Sequence, residues 1–168
     1  MSILNSINGG GMFFGEYDRG LDPQCRVSLP SDWRSGATEF VMVPAVKKAY
    51  LLLPVEMFRK FFDAVSEQAV ADVELQEAFA FIGSQSRFCR CDKQGRMALD
   101  RSKLEEIGVT TEVRLSGAVA YIKLTAPGAV ESSVDDSSRQ RYLEALARAK
   151  NNPASALTGM MLKGMGNE

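Results

Sequence analysis

Short alternating apolar runs, broken by turn-forming residues, dominate the first half of the chain and predict strands. Phe13 to Tyr17 reads as a strand, Asp18 to Gln24 as a turn containing Gly20, Asp22 and Pro23, and Cys25 to Leu29 as a half-buried strand that Pro30 stops. Ser31 to Arg34 reads as one helical turn capped by Ser31, ahead of strands at Glu39 to Val43 and Ala49 to Leu53. Pro54 suits the first turn of a helix, where its missing N–H does no harm, and Val55, Met57, Phe58, Phe61, Phe62 and Val65 give that helix an apolar face. The acidic stretch from Ser66 to Ala80 has helical composition and continues or follows that helix as a connector.

The same order of elements then returns. Arg87 to Cys91 predicts a strand, Asp92 to Gly95 a turn and Arg96 to Leu99 a strand. A short helix follows from Arg101 to Ile107, closed by Gly108 as its C′ glycine, with further strands at Thr111 to Leu115 and Ala118 to Leu124. Asp22-x-Gln24-x-Arg26-Val27-x-Leu29 falls on Asp92-x-Gln94-x-Arg96-Met97-x-Leu99, seventy residues later. Val41-x-Val43 falls on Val113-x-Leu115, and the segment from Ala45 to Tyr50 falls on Ala118 to Tyr121 after a two-residue deletion.

A repeated supersecondary unit cannot bury its apolar face alone and packs against its twin. The expected fold is therefore α+β and β-rich, with pseudo-twofold symmetry and short helices. Its expected organisation is a flexible arm over 1–12, one repeat over 13–65, an acidic helical connector over 66–85, a second repeat over 86–127 and a C-terminal tail over 128–168. Within that tail, Tyr142, Leu143, Leu146 and Ala147 mark an amphipathic helix from about Asp136 to Lys150, and Asn151 to Glu168 read as a flexible end.

Composition narrows the function. At 168 residues and 45% apolar, the chain has material for a real core. No apolar run approaches the ~20 residues that cross a bilayer, and the Gly-, Ser- and Asn-rich start has no basic n-region or continuous h-region, so a cytoplasmic location is expected. Histidine is absent, and no carboxylate pair, Ser–His or Cys–His arrangement is evident, which argues against an enzyme and against a metal or other cofactor. Cys25, Cys89 and Cys91 read as structural thiols. The net charge of −1 conceals an uneven distribution: residues 66–85 carry Glu67, Asp72, Glu74 and Glu77 and no base. Residues 86–103 carry Arg87, Arg90, Lys93, Arg96, Arg101 and Lys103 against only Asp92 and Asp100, which is a basic patch.

An isolated Asp-x-x-x-Arg is most simply an ion pair fastening its own hairpin, and surface pairs contribute little. Duplication favours another role, in which each turn presents an arginine held at a fixed angle by the carboxylate four residues before it. A planar guanidinium so held suits phosphates or a guanine edge.

Phe14-Gly15-Glu16-Tyr17, the run from Leu21 to Pro30, and Asp92-Lys93-Gln94-Gly95-Arg96-Met97-Ala98-Leu99 resemble the MraZ family of bacterial regulators, built from two SpoVT–AbrB-type repeats. The likeness spans about Phe13 to Leu124. It implies a tandem swapped-hairpin β fold, a ring-shaped homo-oligomer, nucleoid association and binding of double-stranded DNA at short promoter repeats of the division and cell-wall gene cluster. No membrane and no small-molecule substrate are expected as partners. Arg26 and Arg96 are then the expected DNA-facing residues, with Lys93, Arg90 and Arg19 as positioning charges and Asp22 and Asp92 as orienting carboxylates. Cys25 stands where the family usually has glycine, so the first turn is expected to be less free to adopt positive φ. Two rival readings remain: an oligomeric scaffold of the same fold, and an AbrB-like antitoxin that binds a toxin through the helix near Tyr142.

Overall fold

In the computed structural model, which describes residues 11–35, 37–128 and 135–151 and only the backbone of 149–151, β1 (Glu16–Gly20) leads through a turn into β2 (Arg26–Ser28). A 3-10 turn (Ser31–Trp33), β3 (Glu39–Ala45) and β4 (Ala49–Pro54) follow, then two helices, α1 (Val55–Ala71) and α2 (Val73–Gln85). The second series is β5 (Arg87–Arg90), β6 (Arg96–Ala98), α3 (Arg101–Glu106), β7 (Glu112–Gly117) and β8 (Ile122–Thr125). The chain divides after Pro127, and its second unit carries α4 (Asp136–Asn151). Residues 1–10 of the expected arm and 152–168 of the expected tail lie outside the described residues.

The fold is α+β and β-rich. Six antiparallel strands form one sheet in the order β1-β7-β8-β4-β3-β5, and β2 and β6 pair separately as a two-stranded ribbon. Each pairing has a counterpart four strands along: β1 with β7 answers β5 with β3, and β3 with β4 answers β7 with β8. The β4–β8 and β2–β6 pairings map onto themselves under the same exchange. β1 and β2, and likewise β5 and β6, thus lie in different sheets although one short turn joins each pair, and each of the four bonds to a strand from beyond the connector. Each half closes only one hairpin ladder of its own, β3 with β4 or β7 with β8, and every other ladder needs a strand from both.

Val27 and Met97 point inward from the ribbon and, with Phe40, Met42, Leu52, Val113, Leu115, Ile122 and Leu124 from the sheet, belong to one buried cluster. Burying each such side chain stabilises the fold by about 1.5–3 kcal/mol. Trp33 closes one side: its ring meets Phe13 at 5.8 Å and Tyr17 at 5.3 Å edge-on, and its indole N–H donates to the Phe14 carbonyl at 3.0 Å. The two halves differ on the sheet's outer face. Every residue of β4 is buried, because α1 and α2 pack over β3 and β4, whereas β8 alternates buried Ile122 and Leu124 with half-buried Lys123 and Thr125. Coverage on both faces explains the unbroken apolar run of the one, and coverage on one face the alternation of the other.

Several boundaries differ from the sequence pattern. β1 extends through Asp18 to Gly20, whose polarity reads as a turn but belongs to an edge strand. Ser31 is no cap: Pro30 precedes the 3-10 turn and no side chain caps it. Pro54 ends β4 and takes the N-cap place of α1, not its first turn. The connector is two helices, because the Asp72 side chain accepts from the N–H groups of Glu74 and Leu75 at 2.9 and 3.2 Å and caps α2. Phe62 and Phe79 then join α1 to α2, ring centroids 5.2 Å apart. Ala118 to Tyr121 forms a turn, closed by Ala118 N–H on the Tyr121 carbonyl at 2.9 Å, so β8 starts at Ile122. Gly108 does end α3 at φ +81°, with its N–H on the Glu105 carbonyl at 3.0 Å.

Candidate nucleic-acid interface

The turns at residues 22–26 and 92–96 share one hydrogen-bond plan. In the first, Asp22 Oδ1 accepts from the main-chain N–H of Gln24 at 2.9 Å and of Arg26 at 2.8 Å, while Oδ2 accepts from Arg26 Nε at 2.7 Å. In the second, Asp92 Oδ1 accepts from Gln94 and Arg96 N–H at 2.8 and 2.9 Å, and Oδ2 from Arg96 Nε at 3.1 Å. The main-chain N–H of the arginine, more than any other group, holds each carboxyl below its ordinary range; partial desolvation opposes it, and the glutamine N–H and the guanidinium add to it. Each carboxylate therefore organises the turn backbone first and orients the guanidinium second. Among the described residues the Nη groups of Arg26 and Arg96 make no hydrogen bond, so their outer edges face solvent.

The fourth turn position takes the left-handed conformation in both copies, Cys25 at φ +58° and Gly95 at φ +76°. The sequence leads one to expect Cys25 to resist it, and the fold imposes it anyway. Cys25 is buried, and its carbonyl accepts from Leu99 N–H at 2.9 Å just as the Gly95 carbonyl accepts from Leu29 N–H at 3.0 Å. Such a conformation costs a non-glycine residue about 1–2 kcal/mol, which burial and the ladder bond offset. Burial also pushes the Cys25 thiol up, away from reactivity.

Ribbon register decides how the arginines relate. Arg26 opposes Ala98 and Ser28 opposes Arg96, while Val27 and Met97 fill the core. Arg26, Ser28, Arg96 and Ala98 consequently share the outward face, with the two arginines as diagonal neighbours, about 7–8 Å apart at Cα.

The remaining expected residues are placed less uniformly. Lys93 is exposed in the second turn. Arg90, on edge strand β5, pairs with Glu39 at 2.8 Å and lies over the Phe88 ring at 5.6 Å. Arg19, on the opposite edge strand β1, lies over the Tyr17 ring at 5.2 Å. The basic run from 86 to 103 is largely neutralised: Arg87 pairs with Asp100 at 2.8 Å, and Lys103 is buried beside Glu106 at 3.4 Å.

No family model matches the chain. Curated relatives do. The protein named transcriptional regulator MraZ from Heliobacterium modesticaldum is 27% identical over 116 residues, covering 67% of this chain and 80% of the relative. That of Clostridium beijerinckii is 24% identical over 114 residues, with the same shares covered. That of Lachnoclostridium phytofermentans is 23% identical over 126 residues, covering 74% of this chain and 89% of the relative. These relatives support an MraZ-family assignment.

Beside the residues that the MraZ likeness brings forward, three more shape the same face. Arg34 reaches across Gly95 with its Nε on the Leu29 carbonyl at 2.9 Å, and Arg101 Nη2 approaches the Pro23 carbonyl at 3.4 Å. Neither placement has a local sequence signal, since Arg34 of the first half covers Gly95 in the second half's turn and Arg101 of the second half reaches Pro23 in the first half's turn. Ser28 lies on the ribbon between the arginines, and strand alternation alone places it there.

Proposed function

We propose that the chain is a sequence-specific DNA-binding transcriptional regulator of MraZ type, which binds short promoter repeats of the division and cell-wall gene cluster as a ring-shaped homo-oligomer. One observation carries the DNA reading: two carboxylate-clamped arginines on the exposed face of a two-stranded ribbon. A ribbon of that width enters the major groove, about 12 Å wide, and a guanidinium fixed at Nε offers its Nη edge to phosphate or guanine. Arg26 and Arg96 are the DNA-facing groups of this reading, Lys93, Arg90 and Arg19 its positioning charges, and Asp22 and Asp92 its orienters. Contacts with bases and phosphates, not catalysis, are the chemistry such a face performs.

A near-neutral chain binds DNA weakly as a single copy. Several copies on successive repeats gain effective concentration, and modest contacts then sum to useful avidity. Retardation of promoter DNA bearing direct repeats, against scrambled DNA, tests the reading. Arg26→Ala and Arg96→Ala should each weaken specific binding by about 1–3 kcal/mol and leave the size on a calibrated column unchanged; full binding by the double variant would refute it.

The antitoxin alternative has one observation in its favour. On α4, Tyr142, Leu143 and Leu146 are all more than half exposed. Co-purification of a stoichiometric protein partner lost on Leu143→Ser and Leu146→Ser would support it.

A further inference from the structure

Only three side chains are identical between the two turns: aspartate, glutamine and arginine at Asp22, Gln24, Arg26 and at Asp92, Gln94, Arg96. The other positions differ, Pro23 against Lys93 and Cys25 against Gly95. The aspartate builds the turn and the arginine is clamped by it, but the glutamine side chain has no structural task. Both glutamines are exposed, and neither amide makes a hydrogen bond among the described residues. Their backbones are nevertheless fixed, because each main-chain N–H is held by the carboxylate at 2.9 and 2.8 Å, with a left-handed residue following.

Such an arrangement suits recognition. A carboxamide has one acceptor and two donors, and paired with adenine it accepts from N6 and donates to N7 in the major groove. Fixing the main chain at the tip of a rigid turn lowers the ordering cost of that contact. We propose that Gln24 and Gln94 are specificity-determining residues that read adenine edges, one at each end of the ribbon; the proposal rests on the DNA-binding reading above. Cys25 opposes Leu99 and Gly95 opposes Leu29, so four residues of strand separate the two turns. At ~3.3 Å per residue that puts the left-handed residues beside the two glutamines about 13 Å apart along the ribbon.

Selection from a random duplex library, with the full-length protein and its Gln24→Ala, Gln94→Ala and double variants, separates the possibilities. Wild type is expected to enrich a motif containing adenines. Each single variant should lose about tenfold or more in preference at one adenine while its salt dependence stays unchanged. Replacing that adenine by 7-deazaadenine, which lacks the N7 acceptor, should weaken wild type and leave the matching variant unaffected. An unaltered motif in the variants, or a loss uniform across all sequences, overturns the glutamine assignment and leaves the DNA reading standing. No enriched motif from wild type overturns both.

Discussion

The Arg34 side chain lies across the bare face of Gly95, where a Cβ would collide with its Nε and Cζ. Because the Arg34 Nε is tied to the Leu29 carbonyl at 2.9 Å, the side chain cannot swing aside without losing that bond. Cys25, the matching position, has no such neighbour forbidding a Cβ and buries its own side chain. Two turns of the same geometry therefore place unequal demands on the residue at their left-handed position. Gly95→Ala is expected to destabilise by about 1–3 kcal/mol, from φ strain and displacement of Arg34. Cys25→Gly should stay within about 1 kcal/mol, since relief of backbone strain offsets lost burial. Urea midpoints at constant m-value report both, and a neutral Gly95→Ala would contradict the account.

Acid should loosen the same turns. Asp22 and Asp92 titrate below the ordinary carboxylate range in the folded chain, chiefly because the arginine main-chain N–H groups bond to the ionised form. A carboxyl whose pKa is lower folded than unfolded contributes stability that is fully present above the unfolded value and is lost as pH falls through the folded one. Melting temperature should thus be flat near neutrality and decline on entering the carboxylate range. The Asp22→Asn, Asp92→Asn double variant should start lower and decline less steeply. Parallel decline in the two proteins would assign the acid sensitivity elsewhere, for instance to Asp18 beside Arg114.

Much of this was legible in the sequence, and what was hidden has a common cause. The two turns, the alternation of β2 and β6 and the glycine closing α3 depend on residues within a few positions of one another, so the local pattern determines them. The extent of β1 was obscured because an edge strand shows solvent alternate polar residues such as Asp18. Charge was the least readable property. A basic run between 86 and 103 looks like a patch only until Arg90 is matched with Glu39, fifty-one residues away, and Lys103 turns inward. Arg34 over Gly95 is equally non-local. The Asp–Arg geometry of the candidate site could be read in the chain, but not the neutralisation of the charges around it.

Lys103 gives a contrast between removing one member of a pair and replacing the charge itself. Its Nζ donates to Gln85 Oε1 at 2.5 Å and Glu106 Oε1 at 3.4 Å, and Glu106 Oε2 also accepts from the Tyr50 hydroxyl at 2.7 Å. These bonds join the end of α2, α3 and β4. Glu106→Gln weakens the partner of a buried ammonium, yet Glu106 is half exposed and water screens the loss, so about 1 kcal/mol is expected. Lys103→Met should cost less, because the stem is already buried and a methionine needs no partner. Thermal melts of the two single variants and the double in one buffer test that order. A Lys103→Met variant less stable than Glu106→Gln would contradict it.

Interleaving of the halves has a consequence for unfolding, and the single tryptophan reports it. Trp33 belongs to the first half, but Tyr17, on which it rests, sits in β1, whose ladder partner is β7 of the second. Val27 and Met97 face each other across the ribbon, again one from each half. The ribbon pair is lost if either half opens, and Tyr17 then loses the β7 ladder that holds β1 beneath Trp33, so these contacts should be lost in one cooperative step. In a urea titration, the red shift of Trp33 emission and the disappearance of the native amide signals of Val27, Met97 and Val113 should share a midpoint. Trp33→Phe should lower that midpoint for all three amides together, by about 2–3 kcal/mol from the cavity and the orphaned Phe14 carbonyl. Separate midpoints for Val27 and Val113 would mean that the halves hold together independently, contrary to the strand order.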